Sequence, residues 1–236
     1  MPKVAIVTGS GRGIGPALVR GLDRILAADA GGVVHRLADG AHGADDLAAA
    51  VAARHGGVDI VIANASAPIL PGVRLRDQVR RLVEVNNHGT RRAIQGFVPL
   101  LNDGARFVVV ADRFGALRHL PGHLRPRFDV DRMSLDELAA VMDGYVDAVE
   151  TGRAAAEGWP AGINVASRVG QVAAVKILGR ELAGEAGARD ILINAAAAGA
   201  GRAAAADALW LAALPAGTRS PYAELVHDRT IIPFLA

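Results

Sequence analysis

The N-terminal stretch constrains the fold of this chain most, because a short apolar run passes directly into a glycine-rich turn and then into a helical pattern. Residues 4–7 are apolar and rich in β-branched side chains, which predicts a buried parallel strand. Gly9, Gly13 and Gly15 follow, and apolar residues then recur with helical spacing from Ile14. A strand, glycine turn and helix in this order predict a Rossmann-type unit whose helix N-terminus receives an anion, usually a pyrophosphate.

Length and composition suit one α/β domain over residues 1–236. The 236 residues are long enough for a full core, and 51% apolar residues are typical of a sheet covered on both faces. The chain has no cysteine, which excludes disulfides, thiolate metal sites and a cysteine nucleophile. We therefore expect no metal site.

Charge and hydropathy indicate a small-molecule partner rather than a nucleic acid or a membrane. The net charge is +2, the arginines are spread along the chain, and only 4% of residues are aromatic, whereas nucleic-acid binding calls for a basic face with interleaved aromatics. The sequence has no secretory h-region and no run of about 18 apolar residues. A cytoplasmic location is expected.

Further patterns predict the remaining elements. Segments with strand-like or helical spacing, taken in chain order, are strand 33–37, helix 45–54, strand 58–62, helix 73–85 continuing to Pro99, strand 106–110, a helix that opens at Ser134 and closes at 157–160, helix 163–181, strand 191–195, helix 203–214 and strand 230–232.

The glycine turn has the spacing TGxxxGIG, which resembles the short-chain dehydrogenase/reductase family. Asn64 after the third strand resembles the asparagine of the family's NNAG motif, and Asn86 with Gly89-Thr90 resembles its N-x-x-G-T segment. The EGWP sequence at 157–160 is similar to that of the monomeric carbonyl-reductase branch.

The resemblance implies a Rossmann-like, doubly wound parallel sheet and a set of cofactor-binding residues. Asn86 matches the asparagine that, in the family, kinks the central helix and holds a water of the proton relay. Arg12 stands where relatives contact the phosphate of NADP. The residues that would bind NADP are Gly9, Arg12, Gly13, Ile14, Gly15 and Asn64.

The chain departs from the family in its length before Asn64. The 31 residues from 28 to 58 have room for one strand and one helix, where the family fits two of each. We therefore expect one β-α unit fewer than in the family, with an incomplete adenosine pocket in which Arg36 and Asp39 replace part of the usual contacts.

A long insertion separates Asp112 from Asn164, far beyond the needs of a simple crossover. Residues 113–160 resemble the segment that, in the carbonyl-reductase branch, covers the helices otherwise used for tetramer contacts. This predicts a helical lid over the site, and it favours a monomer slightly over a homodimer.

The family's catalytic pattern YxxxK does not occur, since neither Tyr145 nor Tyr222 has a lysine four residues later. Alignment on the EGWP segment places Asn164 at the tyrosine position and Arg168 at the lysine position, and alignment on the fourth strand places Asp112 at the serine position. Asn164 cannot protonate an alkoxide near neutral pH, whereas the guanidinium of Arg168 suits a carboxylate or an enolate. An alkoxide about 4 Å from Asp112 would be repelled by some 4 kcal/mol at an effective dielectric of about 20.

Three hypotheses follow. The first is a non-redox acid/base enzyme, a cyclase, isomerase or dehydratase acting on a natural-product-like carbonyl compound; it needs no cofactor, and it uses Asp112 as acid/base with Arg168, Asn164 and Asn86 as polar anchors. The second is an NADPH-dependent carbonyl reductase with a substitute donor such as Tyr145 or Asp112. The third is a catalytically inactive binding or partner protein.

The histidines at 88, 119 and 123 are candidate helpers in catalysis. Asp112 could instead belong to a structural salt bridge with an arginine.

Overall fold

The computed structural model describes residues 2–29, 31–38, 43–198 and 204–235, and these form an α/β fold built on one seven-stranded sheet. The strand order is β2-β1-β3-β4-β5-β6-β7, in which all neighbouring pairs are parallel except the last. The strands are β1 (Lys3–Thr8), β2 (Gly32–Leu37), β3 (Val58–Ala63), β4 (Leu101–Ala111), β5 (Leu192–Ala197), β6 (Leu225–His227) and β7 (Thr230–Ile232).

Helices cover both faces of the sheet, as expected for strands that are apolar along their whole length. The helices are α1 (Gly15–Ala28), α2 (Ala44–His55), α3 (Val79–Val83), α4 (Gly89–Phe97), α5 (Leu135–Glu150), α6 (Ile163–Ala188) and α7 (Ala206–Ala212). Alternate residues of β1 separate the two cores. Ile6 packs in the cluster formed with α2, α4, α5 and α6, whereas Ala5 and Val7 pack in the cluster formed with α1 and α7.

One strand and one helix, β2 and α2, lie between α1 and β3, as the residue count predicted. The predicted doubly wound parallel sheet in a single domain is therefore confirmed. Because the chain turns from β1 to β2 on one side and then returns to β3 on the other side of β1, a crevice opens at the carboxyl ends of β1 and β3.

The helix predicted over 73–85 begins later, at Val79. The preceding residues form a turn in which Gly72 has φ +78° and the N–H of Val73 donates to the carbonyl of Leu70 at 3.3 Å. The side chain of Gln78 accepts from the N–H of Leu70 at 2.8 Å and donates to the carbonyl of Val73 at 2.9 Å. These side-chain bonds hold the segment out of the helix.

A π-helical turn, Glu84–His88, joins α3 to α4 at the position where the resemblance implied a kink. At its centre Asn86 is fully buried, and its carbonyl accepts from the hydroxyl of Thr90 at 2.6 Å. A 3₁₀ turn, Val98–Leu100, then connects α4 to β4, which begins five residues before the predicted strand.

Residues 113–160 comprise three 3₁₀ turns (Arg113–Gly115, Leu117–His119 and Gly122–Phe128) followed by α5. Ser134 caps α5 as predicted, in a reciprocal pair with Glu137. The helix ends at Glu150 rather than at 157–160, because the next turn needs Gly152 in a left-handed conformation with φ +78°.

The C-terminal third differs from prediction mainly in its helix boundaries. Helix α6 continues to Ala188, past the predicted end at 181, and α7 covers only Ala206–Ala212, while Ala203 lies outside the described residues. Strand β6 was not predicted. It forms a hairpin with β7 whose turn is held by Asp207, since that carboxylate accepts from the N–H groups of Asp228 at 2.8 Å and Arg229 at 3.1 Å.

No helix within the described ranges is long and apolar enough to cross a membrane.

Candidate active site

The site lies at the switch point of the sheet, where hydrogen bonds join the ends of β1 and β3. The hydroxyl of Thr8 accepts from the N–H of Asn64 at 3.0 Å, and the amide of Asn64 donates back to the carbonyls of Thr8 at 3.1 Å and Gly9 at 3.0 Å. Asn64 thus acts as a clamp that fixes the start of the glycine turn.

Packing explains two of the three glycines of that turn. A Cβ on Gly9 would lie 2.7 Å from Cα of Ala65, and one on Gly15 would lie 2.2 Å from the carbonyl oxygen of Gly9. Gly13 is different, because its φ of +57° disfavours other residues while an added Cβ would meet nothing within 4 Å. The space in front of Gly13 is therefore open to a ligand.

The N-terminus of α1 faces this space without a side-chain cap and without an acidic residue in its first turn. Among the described residues, the N–H groups of Gly13 and Ile14 have no hydrogen-bond acceptor. Free N–H groups at the positive end of a helix dipole suit an anion.

A cavity of about 460 Å³ extends from the glycine turn to α6, within the size range of small-molecule sites. Its wall is mainly apolar, with a few polar groups. The lining residues are Gly9, Arg12, Gly13, Ile14, Ala38, Asn64, Ala65, Ser66, Ala67, Pro68, Ile69, Leu82, Val85, Val110, Ala111, Asn164, Arg168 and Ala198.

Arg168 lies on the wall of this cavity. Its Nη1 donates to Oε1 of Gln171 at 2.7 Å and its Nη2 to the hydroxyl of Ser66 at 3.0 Å, whereas its buried Nε has no partner. Burial lowers the pKa of Arg168, and the negative charge of Asp112 partly offsets that effect. The guanidinium is thus held in place by neutral groups.

Ser66 connects the two cationic side chains of the cavity. Its hydroxyl binds Arg168, and its carbonyl oxygen accepts from Nη2 of Arg12 at 3.4 Å. Sequence reasoning missed this role of Ser66, although the residue directly follows the Asn64 segment. It also missed Gln171, whose i, i+3 spacing from Arg168 on one helix was a usable signal.

Asp112 follows β4 but does not line the cavity. Its Oδ1 accepts from the N–H of Phe114 at 3.1 Å, so that it caps the first 3₁₀ turn, and it forms no salt bridge with Arg168. At Arg168 the alternative of a structural salt bridge with an arginine thus gains no support, although the charge of Asp112 still acts on that side chain. Its Oδ2 accepts no hydrogen bond from any residue in 2–29, 31–38, 43–198 or 204–235.

Asn86, predicted as a polar anchor, lies behind the cavity rather than on its wall. Its Oδ1 accepts from the N–H of Ala67 at 2.9 Å and its Nδ2 donates to the hydroxyl of Ser167 at 3.1 Å. Both side-chain polar atoms are thus engaged in the interior, and the residue supports the loop 64–68 that forms one side of the site.

Other predicted contributors lie away from the cavity. Residues 113–160 supply none of its lining residues, so the lid gains no support from the cavity wall. Among the histidines, His88 pairs with Asp143, the ring of His119 lies 5.2 Å from that of Phe114, and His123 bonds the carbonyl of Glu157.

The residues expected to contact the adenosine half of NADP are only partly within the described ranges. Arg36 forms an ion pair with Asp23 at 3.7 Å on the protein surface, and Ala38 contributes to the cavity wall. Asp39 and the residues 199–202 that follow β5 lie outside the described residues.

A parallel sheet with an anion-binding turn at its switch point defines a Rossmann-type protein with a small-molecule cleft. No family model matches the sequence. Over 271 aligned positions, the chain is 27% identical to carbonyl reductase [NADPH] 1 of Mus musculus, with 98% of each chain covered, and 26% identical to that of Pongo abelii, with 97% of each covered. These similarities, which extend over nearly the whole of each chain, support the predicted resemblance to the short-chain dehydrogenase/reductase family.

The structural comparison agrees with this fold. Salutaridine reductase from Papaver somniferum superposes with a TM-score of 0.74 at 16% identity, over 96% of this chain and 99% of that one. The 271 positions aligned with the mouse protein exceed the 236 residues of this chain by 35, so that relative has positions with no counterpart here.

Proposed function

We propose that the chain is a non-redox enzyme on a reductase scaffold that acts by acid/base chemistry on a carbonyl compound. The observation that carries the proposal is the chemistry of the α6 side chains on the cavity wall, which are the amide of Asn164 and the guanidinium of Arg168. Neither group protonates an alkoxide near neutral pH, but both can donate hydrogen bonds to an oxygen that gains negative charge.

The hydroxyl groups of both tyrosines donate to backbone carbonyls outside the cavity. Tyr145 is fully buried and donates to the carbonyl of Ile163 at 3.3 Å, and burial raises its pKa. Tyr222 donates to the carbonyl of Gly179 at 2.8 Å. Neither lines the cavity, and a phenol held in the interior is a poor substitute for the usual proton donor.

Asp112 directly follows Ala111 of the cavity wall, and its charge acts on Arg168, so the proposed reaction requires the substrate to reach past Ala111. The free Oδ2 of Asp112 then takes a proton from the carbon next to the substrate carbonyl. The electron pair of the broken C–H bond moves to the carbonyl oxygen, and the resulting enolate accepts hydrogen bonds from Arg168 and Asn164. Return of the proton to another carbon gives an isomer. Attack of the enolate carbon on a second carbonyl of the same molecule breaks the π bond of that carbonyl and closes a ring, and the proton held by Asp112 passes to the new alkoxide oxygen.

The test is deuterium exchange followed by NMR, with enolisable ketones and β-dicarbonyl compounds in D₂O and no cofactor. We expect catalysed exchange that falls about 10²–10⁴-fold in Asp112→Asn, the usual contribution of a general base. The asparagine oxygen can still cap the turn at Phe114, so the fold is retained. Asp131→Asn is the matched control, since Asp131 is exposed and lies outside the cavity.

A second candidate is an NADP(H)-dependent reductase, favoured by the open space in front of Gly13. The turn fits a dinucleotide, because the free N–H groups of Gly13 and Ile14, together with Arg12, would hold its phosphates. The nicotinamide would supply the hydride. Asp112 would then have to hold the proton that the carbonyl oxygen receives.

NADPH titration separates the two candidates. Quenching of tryptophan fluorescence at micromolar NADPH, lost in Arg12→Gln, together with NADPH oxidation coupled to ketone consumption, would establish the reductase and overturn the non-redox proposal. Exchange that is equally fast in Asp112→Asn would remove the acid/base role of that residue.

A further inference from the structure

An apolar strip leads out of the cavity along residues 69–75. Ile69 lines the cavity and is also partly exposed, and the same segment presents Leu70, Val73 and Leu75 to solvent. These four side chains retain 40–46% of their exposure, and they account for most of the large apolar side chains that are exposed in the described ranges. An apolar surface continuous with a cavity is typical of a ligand-binding entrance.

The strip is preformed. Pro71 and Gly72 occupy the central positions of a type II turn, in which Gly72 has the positive φ that this turn requires. Gln78 closes the loop through bonds to Leu70 and Val73, as described above. A ligand that contacts this surface therefore does not have to order the loop first.

The inner end of the same cavity carries a positive charge on Arg168 that Asp112 offsets only in part and without a direct ion pair. Arg168 forms no ion pair within the described part of the chain. Its two terminal nitrogens donate to neutral acceptors, and its Nε has no partner. A cation removed from water is stabilised most by an anion, and the planar guanidinium suits a carboxylate or an enolate.

We propose that the ligand of this site is an amphipathic anion, a molecule with one anionic oxygen group on an apolar body. The anionic group, which in the proposed reaction is the enolate oxygen of a β-dicarbonyl compound, binds Arg168, with Asn164 as a second donor. The apolar body packs on Leu82 and Val85 and leaves the cavity over Ile69 and the strip. This inference rests on the proposed function, whose substrate class it names.

The charge pattern excludes other classes of ligand. A cationic ligand would be repelled by Arg168 and Arg12, and a sugar would leave its hydroxyl groups unpaired against an apolar wall. A small anion such as acetate would pair with Arg168 but would bury no surface on the strip. Both parts of the ligand are therefore needed for tight binding.

The test uses isothermal titration at pH 7 with octanoate, 1-octanol, octylamine and acetate. We expect octanoate to bind at least tenfold more tightly than octanol or acetate, with no binding of octylamine. Arg168→Met should lower the affinity for octanoate to that for octanol, and it should leave the affinity for octanol unchanged. Arg168→Lys should still bind octanoate more tightly than octanol. Arg132→Met is the matched control at an exposed arginine.

Equal affinity for octanoate and octanol in the unaltered protein would overturn the inference, as would a preference that survives Arg168→Met. Leu70→Ser with Val73→Ser should weaken the binding of octanoate and leave the binding of acetate unchanged. If the affinity for octanoate were also unchanged, the strip would have no role in binding. NADPH-coupled ketone reduction alongside a clear octanoate preference would overturn only the proposed function. Cofactor-free exchange without that preference would overturn only this inference.

Discussion

Tyr145 is the phenol that lies nearest in sequence to α6, and its contacts in the structure are packing contacts. Its ring lies 4.7 Å from that of Trp159, and its hydroxyl reaches only the carbonyl of Ile163, at 3.3 Å. A hydroxyl that is fully buried and makes one long hydrogen bond adds little to stability beyond its ring.

Tyr145→Phe should therefore leave both the exchange reaction and any NADPH-linked turnover within twofold of the unaltered protein. The free energy of unfolding should fall by at most about 1 kcal/mol, the net worth of one neutral hydrogen bond. Urea denaturation and initial rates measure the two quantities, and Tyr222→Phe is the matched control. A tenfold loss of rate at unchanged stability would identify Tyr145 as the substitute donor.

For individual residues, the sequence predicted which side chains line the cavity better than it predicted their hydrogen-bond partners. Arg12, Gly13, Asn64, Asn164 and Arg168 all line the cavity. The inward position of Asn86 was not predictable, because it depends on Ala67 and Ser167, which come from a separate loop and a separate helix. Hydrogen bonds between distant segments leave no periodic pattern in a sequence.

At the scale of elements, a contact between two histidines joins the edge strand β2 to α2. Nε2 of His35 in β2 lies 2.9 Å from Nε2 of His55 at the end of α2, so one ring donates and the other accepts. Burial lowers the pKa of His35, and the neighbouring charges of His55 and Arg54 lower it further. The pair is thus stable only while at least one ring is neutral.

The sign of the pH dependence follows from that shift. Because the folded pKa of His35 is below its unfolded value of 6.5, the unfolded chain binds more protons between the two values, and stability falls as the pH drops through this window. We expect the urea midpoint to decrease between pH 7 and pH 5, and His35→Gln to flatten that part of the profile. An equal slope in the variant would show that other groups cause it.

Elements with strong local patterns were predicted within a few residues, as β1, α1 and the capped start of α5 show. The predicted helix start at 73 was wrong because Gln78 binds the turn at Leu70 and Val73, which periodicity does not reveal. Strand β6 was missed because it has three residues and depends on the capping of its hairpin by Asp207.

At the scale of the whole molecule, the order of strand, glycine turn and helix predicted the fold class, and counting residues before Asn64 predicted the single strand and helix between α1 and β3. The number of residues between Asp112 and Asn164 also indicated the long insertion. What the insertion does was less predictable, since α5 packs against α3 and α6 while the cavity wall comes from other segments. A segment's length carries no information about the surface that it covers.

The packing of the insertion at 113–160 affects whether the protein can form a homodimer. The large apolar side chains of the insertion are buried, among them Leu124, Phe128, Met142 and Tyr145. In the described ranges, α4, α5 and α6 expose no large apolar side chain to solvent. A stable homodimer needs a contiguous, largely apolar interface, which these helices do not offer.

We therefore expect a monomer of 24.3 kDa by light scattering at micromolar concentration. The strip at 69–75 is the one described surface where several exposed apolar side chains adjoin, so it is where a dimer would form if one existed. Leu70→Ser with Val73→Ser should leave the mass of a monomer unchanged. A doubled mass that this variant returns to one chain would contradict the monomer and show that the strip binds a second copy.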